Sequence, residues 1–230
     1  MFLRKLVMCV TVLVLSVGAY AQDKKTASGI ALDTKWKVNI YEYAQKNFVH
    51  TAWGVGHSER NYNLSIKLAK DDNLKVDEDV LFAASFLHDM GSFNKVKGED
   101  HAITSAKMMD KTLKDFGFPM QKLNLVKGVI LGHMYKAKVP DEINAKVFHD
   151  ADTLDFMGNI GIARVLSLTT RIPSWIPTLD KSFGTLERMN AKFGPLLKTK
   201  AGKIVGTKRA EEAAVFFKSI DKETYNKTSI

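Results

Sequence analysis

The sequence predicts an all-α fold, and three observations carry that prediction. From residue 33 onward apolar side chains recur at the three- and four-residue spacing of one helix face. The breaks between these segments are short and polar, rich in Gly, Pro, Asp and Asn. No internal repeat or low-complexity linker divides the chain, and 230 residues with 45% hydrophobic content suit one domain with a sizeable core.

The elements follow in order. A first helix is expected over 36–48, where Trp36, Ile40, Tyr43, Ala44 and Phe48 share a face, and Trp53-Gly54-Val55-Gly56 breaks the pattern. A second starts near His57 and carries Tyr62, Ile66, Leu68 and Ala69 as far as Asp71-Asp72-Asn73. Asp77 is a good N-cap for the third, whose apolar run over 80–87 ends at His88-Asp89, with Gly91 expected as its C-terminal cap. The fourth, over 100–116, aligns Ala102, Ala106, Met109 and Leu113 and stops at Gly117. Pro119 opens a fifth that runs to about His133. Pro140 is expected in the first turn of a sixth, where Asp141 and Glu142 complement the helix dipole, and this helix carries Val147 to Leu154. Small residues at Gly158 and Gly161 would let two helices approach closely. A rigid connector over 171–177 leads to two amphipathic helices, about 181–198 and 205–223, expected to cap the core.

The N-terminus reads differently. Arg4 and Lys5 precede a short apolar segment, and Ala19-Tyr20-Ala21 follows it, which is the order of a secretory signal peptide. The apolar segment is too short to span a bilayer comfortably, so the competing reading, a retained anchor, ranks second. We expect a signal over 1–21 cleaved after Ala21, a disordered lead-in over 22–32, and a helical domain over 33–230 with its core at about 53–170 and a cap at about 178–225. The expected location is secreted or periplasmic, with no stable membrane anchor after cleavage.

Cys9, the one cysteine, lies inside the signal segment, so the mature chain would have no disulfide, thiolate ligand or cysteine nucleophile. The formal net charge of +9 falls to about +7 without Arg4 and Lys5. The remaining lysines are scattered and lack the aromatic-interleaved stripe of a nucleic-acid reader, so no nucleic-acid partner is expected. A small phosphorylated molecule is the more economical anionic partner.

The most informative feature is His88-Asp89 at the end of its apolar run. A buried imidazole beside a buried carboxylate is costly unless each is hydrogen-bonded, paired or bound to metal. Histidine and carboxylate suit borderline divalent ions such as Mn, Fe, Ni or Zn. Adjacent helical residues point about 100° apart, so the doublet can supply two ligands only from a helix end, with the rest of the shell coming from other helices.

His57, His88-Asp89 and Asp152, in that order, resemble the signature of the HD-domain superfamily of metal-dependent phosphohydrolases. The surrounding residues agree as well: Gly56-His57-x-x-Arg60, Phe86-Leu87-His88-Asp89-Met90-Gly91, Gly132-His133, and Asp150-Ala151-Asp152-x-Leu154-Asp155 leading into Gly158-x-Ile160-Gly161-Ile162-Ala163-Arg164. The last stretch is similar to the nucleotide-hydrolase-like branch. The resemblance implies an HD-type helical bundle and a first metal held by His57, His88, Asp89 and Asp152. It departs from the family pattern at Thr153, where a basic residue is usual, and Asp150 stays open as an alternative last ligand. His101 and His133 stand where some members add histidines for a second metal, so one ion or two are expected, with a pocket-lining role as the alternative. His50 and His149 are expected to be structural.

The resemblance implies catalysis at His88 and Asp89, with a metal-activated water attacking phosphorus and cations offsetting the developing charge. Arg60, Lys95 and Lys97 are the candidate cations, though Arg60 has a second reading, an ion pair with Asp152 or Asp155. Asp155 and Glu99 are candidate acceptors for histidine N–H groups. The leading expectation is a phosphohydrolase acting on a nucleotide or another small phosphoester. The alternatives are a di-iron oxygenase on a related scaffold and a non-catalytic metal- or ligand-binding protein.

Overall fold

The computed structural model describes residues 24–169, 176, 178–227 and 229–230; the signal segment over 1–21 and most of the connector over 171–177 lie outside the described residues. Among the described residues the regular structure is helical, apart from one isolated bridge between Lys25 and Ala31. The helices are α1 (Lys35–Asn47), α2 (Val55–Asp71), α3 (Glu78–Leu87), the single turn α4 (Met90–Phe93), α5 (His101–Phe116), α6 (Leu123–Gly132), α7 (Ile143–Leu154), α8 (Gly158–Leu166), α9 (Leu179–Lys192) and α10 (Lys200–Glu223). The all-α expectation therefore holds.

Local chemistry sets several of the ends. Thr34 caps α1 through Lys37 N, Asp77 caps α3 through Asp79 N and Val80 N, and Asp100 caps α5 through Ala102 N. Gly117 closes α5 at φ 81°, a conformation that glycine adopts without a Cβ penalty. Several expected boundaries differ: α6 starts at Leu123 rather than at Pro119, α9 ends at Lys192 rather than near 198, and α10 starts at Lys200 rather than near 205. Gly91 does not cap α3; His88 does, and Gly91 sits inside α4 with a right-handed neighbour at each side. Its role is spatial, because a Cβ there would stand 2.2 Å from the carbonyl oxygen of His101. Pro140 precedes α7 rather than entering its first turn, and Glu142 is the N-cap, accepting from Asn144 N and Ala145 N.

The helices enclose two apolar clusters. One gathers α1, α3, α5 and α6 around Ile40, Phe82, Phe86, Met109 and Ile130, all fully buried. Trp36 meets Phe82 and Phe118 edge-on at 5.6 and 5.0 Å. Each large side chain buried in this way contributes about 2–3 kcal/mol. The second cluster joins α7 and α8 to α9 and α10 through Leu154, Val165, Leu186 and Ala213. Helices α2 and α7 contribute to both clusters, with Tyr62 and Phe148 facing the first and Leu68 and Leu154 the second. The close approach expected of Gly158 is made to α10, where its Cβ would lie 3.0 Å from Arg209.

The segment expected as a disordered lead-in is folded from residue 24. Ile30 and Leu32 enter the first core, and Glu59 of α2, itself buried, accepts hydrogen bonds from Thr26 Oγ1 at 2.9 Å, Ser28 N at 2.7 Å and Tyr41 Oη at 3.2 Å. Polar composition suggested disorder; a buried carboxylate elsewhere in the chain supplies partners for those polar groups. No helix among the described residues is long and apolar enough to cross a membrane.

Candidate metal centre

The polar cluster lies between the two cores, where several helix ends meet. His57 is in the first turn of α2, His88 and His133 cap α3 and α6, Asp89 leads into α4, His101 opens α5, and Asp152 is in the last turn of α7. His57, His88, Asp89, His133 and Asp152 are all at most 6% exposed. The Nε2 atom of His57 is 3.2 Å from His88 Nε2, 3.2 Å from Asp152 Oδ1 and 3.7 Å from Asp89 Oδ2. His88 Nε2 lies 3.2 Å from Asp89 Oδ2 and 3.8 Å from Asp152 Oδ1. All four residues of the expected first site therefore converge.

The second pair adjoins them. His101 Nε2 is 3.1 Å from His133 Nε2 and 3.4 Å from Asp89 Oδ1. Asp89 thus presents one oxygen to each group, and His88, Asp89 and His133 can offer atoms within 4.8 Å of one another, as can His57, His88 and Asp152.

The hydrogen bonds behind the cluster test whether these residues suit a cation. His57 Nδ1 donates to Asp155 Oδ2 at 2.7 Å, His88 Nδ1 to Ser85 O at 3.1 Å, and His133 Nδ1 to Ile130 O at 2.5 Å. Each neutral imidazole then turns a lone pair on Nε2 inward, towards other Nε2 atoms and carboxylate oxygens. Such a concentration of inward acceptors is unfavourable by itself and is what a divalent ion requires. Without an ion, His88 departs from this neutral arrangement: burial disfavours its charge, yet Asp89 and Asp152 outweigh it and push the imidazole up to about 9, so a proton there supplies the positive charge the carboxylates call for. Burial and the neighbouring His88 push His133 down to about 4, so it stays neutral. Asp89 and Asp152 are held below the usual carboxylate range by the surrounding histidines despite their burial.

Several expectations separate here. Asp150, the alternative ligand, is fully buried and faces the other way: it accepts from Lys198 N, Thr199 N and Thr199 Oγ1, each at 2.7 Å, and anchors the start of α10. Arg60 takes its second reading. Its Nε and Nη2 donate to Asp155 Oδ1 and Oδ2 at 2.8 and 2.9 Å, behind His57, so its expected substrate and catalytic role is corrected to one of support. Of the two candidate acceptors, Asp155 serves His57, whereas Glu99 binds Thr104 Oγ1 at 2.8 Å and Lys107. His149 donates to Gly132 O at 3.1 Å, and His50 accepts from Ala52 N at 3.1 Å while stacking on Trp53.

A cavity of about 690 Å³ opens onto the cluster, with His57, Asp89, His101, His133 and Asp152 on its floor. Lys95, Lys97 and Lys136 line it. Trp53, Tyr135, Phe156 and Met189 give it an apolar wall, and Tyr135 is held by stacking on Phe193 at 4.6 Å. Sequence reasoning missed these wall residues, and it missed Asn61, whose Nδ2 donates to Asp152 Oδ1 at 3.0 Å. Only the last left a signal, the spacing of four residues from His57 that puts both on one helix face.

Residues 54–157 match the family model described as the HD domain. Among solved structures the chain is similar to an HD-superfamily hydrolase from Bacillus thuringiensis (22% identity, 82% of this chain and 94% of that one, TM-score 0.60). It is also similar to a predicted HD superfamily hydrolase from an uncultured Thermotogales bacterium (21%, 81% and 90%, 0.57). A third is Bacillus subtilis YpgQ in complex with ADP (20%, 81% and 97%, 0.59). At these identities the likeness shows a shared fold. No curated protein sequence matches the chain.

Proposed function

We propose that this protein is an exported, metal-dependent phosphohydrolase that cleaves a nucleotide or another small phosphoester. The observation that carries the reading is the convergence of inward-facing imidazole and carboxylate groups on the floor of a cavity edged by lysines. His57, His88, Asp89 and Asp152 would hold one ion, and Asp89 with His101 and His133 a second. A divalent ion there would supply a water that ionises near neutral pH and a Lewis acid for a phosphoryl oxygen.

The chain's own groups do the rest. Asp155, Ser85 O and Ile130 O fix the donor tautomers of three histidines, so the inward atoms need no reorientation when substrate arrives. Lys95, Lys97 and Lys136 place positive charge along the cavity wall, where phosphate oxygens would lie, and buried Asp89 and Asp152 keep anions off the floor unless a cation is there. Trp53, Tyr135 and Phe156 offer flat apolar surface suited to a base. The cavity has the size usual for small-molecule sites. The ADP bound by Bacillus subtilis YpgQ, a similar fold, supports the nucleotide class.

The test begins with metal analysis of protein purified without added metal, followed by a phosphoester panel with that ion restored. Chelation should abolish turnover, and Asp89→Ala should lose bound metal. Full turnover in the chelated, metal-free variant would end the reading. Because Asp89 faces two histidine groups, the di-iron oxygenase stays as a second reading; one non-iron ion per chain removes it. Tight metal binding with no turnover across the panel would favour the non-catalytic alternative.

A further inference from the structure

We infer that Arg164 is a positioning residue that locks the His57 ligand and the cavity wall into one rigid unit; the inference rests on the metal-site reading above. Arg164, on α8, is 3% exposed, and burying a guanidinium costs several kcal/mol unless its surroundings compensate. The compensation comes through Nε, Nη1 and the face of the group, while Nη2 has no hydrogen-bond partner. Nη1 pairs with Asp155 Oδ2 at 2.9 Å and donates to the Asp155 carbonyl at 3.0 Å. Nε donates to the carbonyl of Ala52 at 2.9 Å. The guanidinium lies 4.2 Å from the centroid of the Phe156 ring.

Each partner is adjacent to something the site uses. Asp155 holds His57 Nδ1, Phe156 lines the cavity, and Ala52 precedes Trp53, which lines it too. One side chain therefore joins the loop before α2, the end of α7 and α8. Arg60 cannot replace it, because Arg60 sits on α2 with His57 and holds only the Asp155 carboxylate. Asp155 would keep Arg60 if Arg164 were lost, so it would not be left as a lone buried charge. What would be lost is the link that fixes the carboxylate relative to the wall.

A planar fork serves several acceptors at once where a lysine ammonium on a flexible stem cannot, so Arg164→Lys retains charge while breaking the cross-link. The experiment compares wild type, Arg164→Lys and Arg164→Met. Two quantities are read: affinity for Mn²⁺ alone by titration calorimetry, and the His57 Nδ1 proton resonance of the metal-free protein by ¹⁵N-edited NMR. Arg164→Lys should bind Mn²⁺ about tenfold more weakly, the lower end of what loss of such outer contacts produces. Its His57 Nδ1 proton should move upfield or broaden. Leu113→Ala, in the distant first core, serves as a destabilised control and should change neither quantity. If Arg164→Met fails to fold, Arg164→Lys carries the comparison. Wild-type Mn²⁺ affinity and an unmoved His57 resonance in Arg164→Lys would overturn the inference. Absence of Mn²⁺ binding by wild type would instead count against the metal-site reading, and the NMR comparison would still decide the positioning role.

Discussion

Replacing Asp150 by alanine separates a structural aspartate from a ligand two residues away. The carboxylate accepts three hydrogen bonds of 2.7 Å, two from the backbone at the start of α10 and one from Thr199 Oγ1. A hydrogen bond to a charged group contributes about 1.5–3 kcal/mol, and each buried donor left unpaired costs about 1–3 kcal/mol. Burial pushes the Asp150 carboxyl up, so desolvation already offsets part of that gain. Water reaching the vacated space would satisfy some donors. The net expected loss is about 3 kcal/mol, a fall of about 6–12 °C in the thermal midpoint for a domain of this size. Chemical denaturation should agree with the thermal figure, and elemental analysis should find the wild-type metal content. Asp152→Ala should show the opposite pattern, with metal lost. An Asp150→Ala protein that loses metal while its unfolding midpoint stays at the wild-type value would refute this division of labour.

Gly91→Ala should disturb the second ligand group selectively: its Cβ would stand 2.2 Å from His101 O, which must move, taking the start of α5 with it. The expected cost is about 1–3 kcal/mol, with metal retained by the His57 group and reduced at the His101 group in stoichiometric titration. Glu59→Ala should release residues 24–32 by removing the acceptor for Thr26, Ser28 and Tyr41, costing about 2 kcal/mol; limited proteolysis of that segment should accelerate. Substituting both Lys95 and Lys97 by alanine should raise KM for a phosphoester found in the panel by about tenfold, with the metal content unchanged, since both line the cavity and an ammonium group offers no lone pair to a metal.

Helical periodicity made the elements readable because each apolar face repeats within its own segment, and caps at Asp77, Asp100 and Gly117 are local chemistry. His88-Asp89 was readable from the apolar run that it ends, whereas His57 and Asp152 were readable only through their resemblance to a known ordered pattern. Asp150 and Asp152 could not be separated this way. Two residues apart on a helix they point about 200° apart, so the packing of α7 decides which one faces the cluster. Gly91 looked like a cap because it follows a helix, whereas its constraint is a contact with a residue ten positions later.

The sequence by itself determined the helical fold and the ordered histidines and aspartates, since both are written in residue type and spacing. Tertiary structure alone decided that Arg60 supports His57 instead of facing the cavity and that Asp155 gathers two arginines and a histidine. It also brought Trp53, Tyr135 and Lys136 to the cavity wall beside Lys95 and Lys97. These outcomes depend on side chains from separate helices meeting within about 3 Å, and no local pattern in the chain encodes such a meeting.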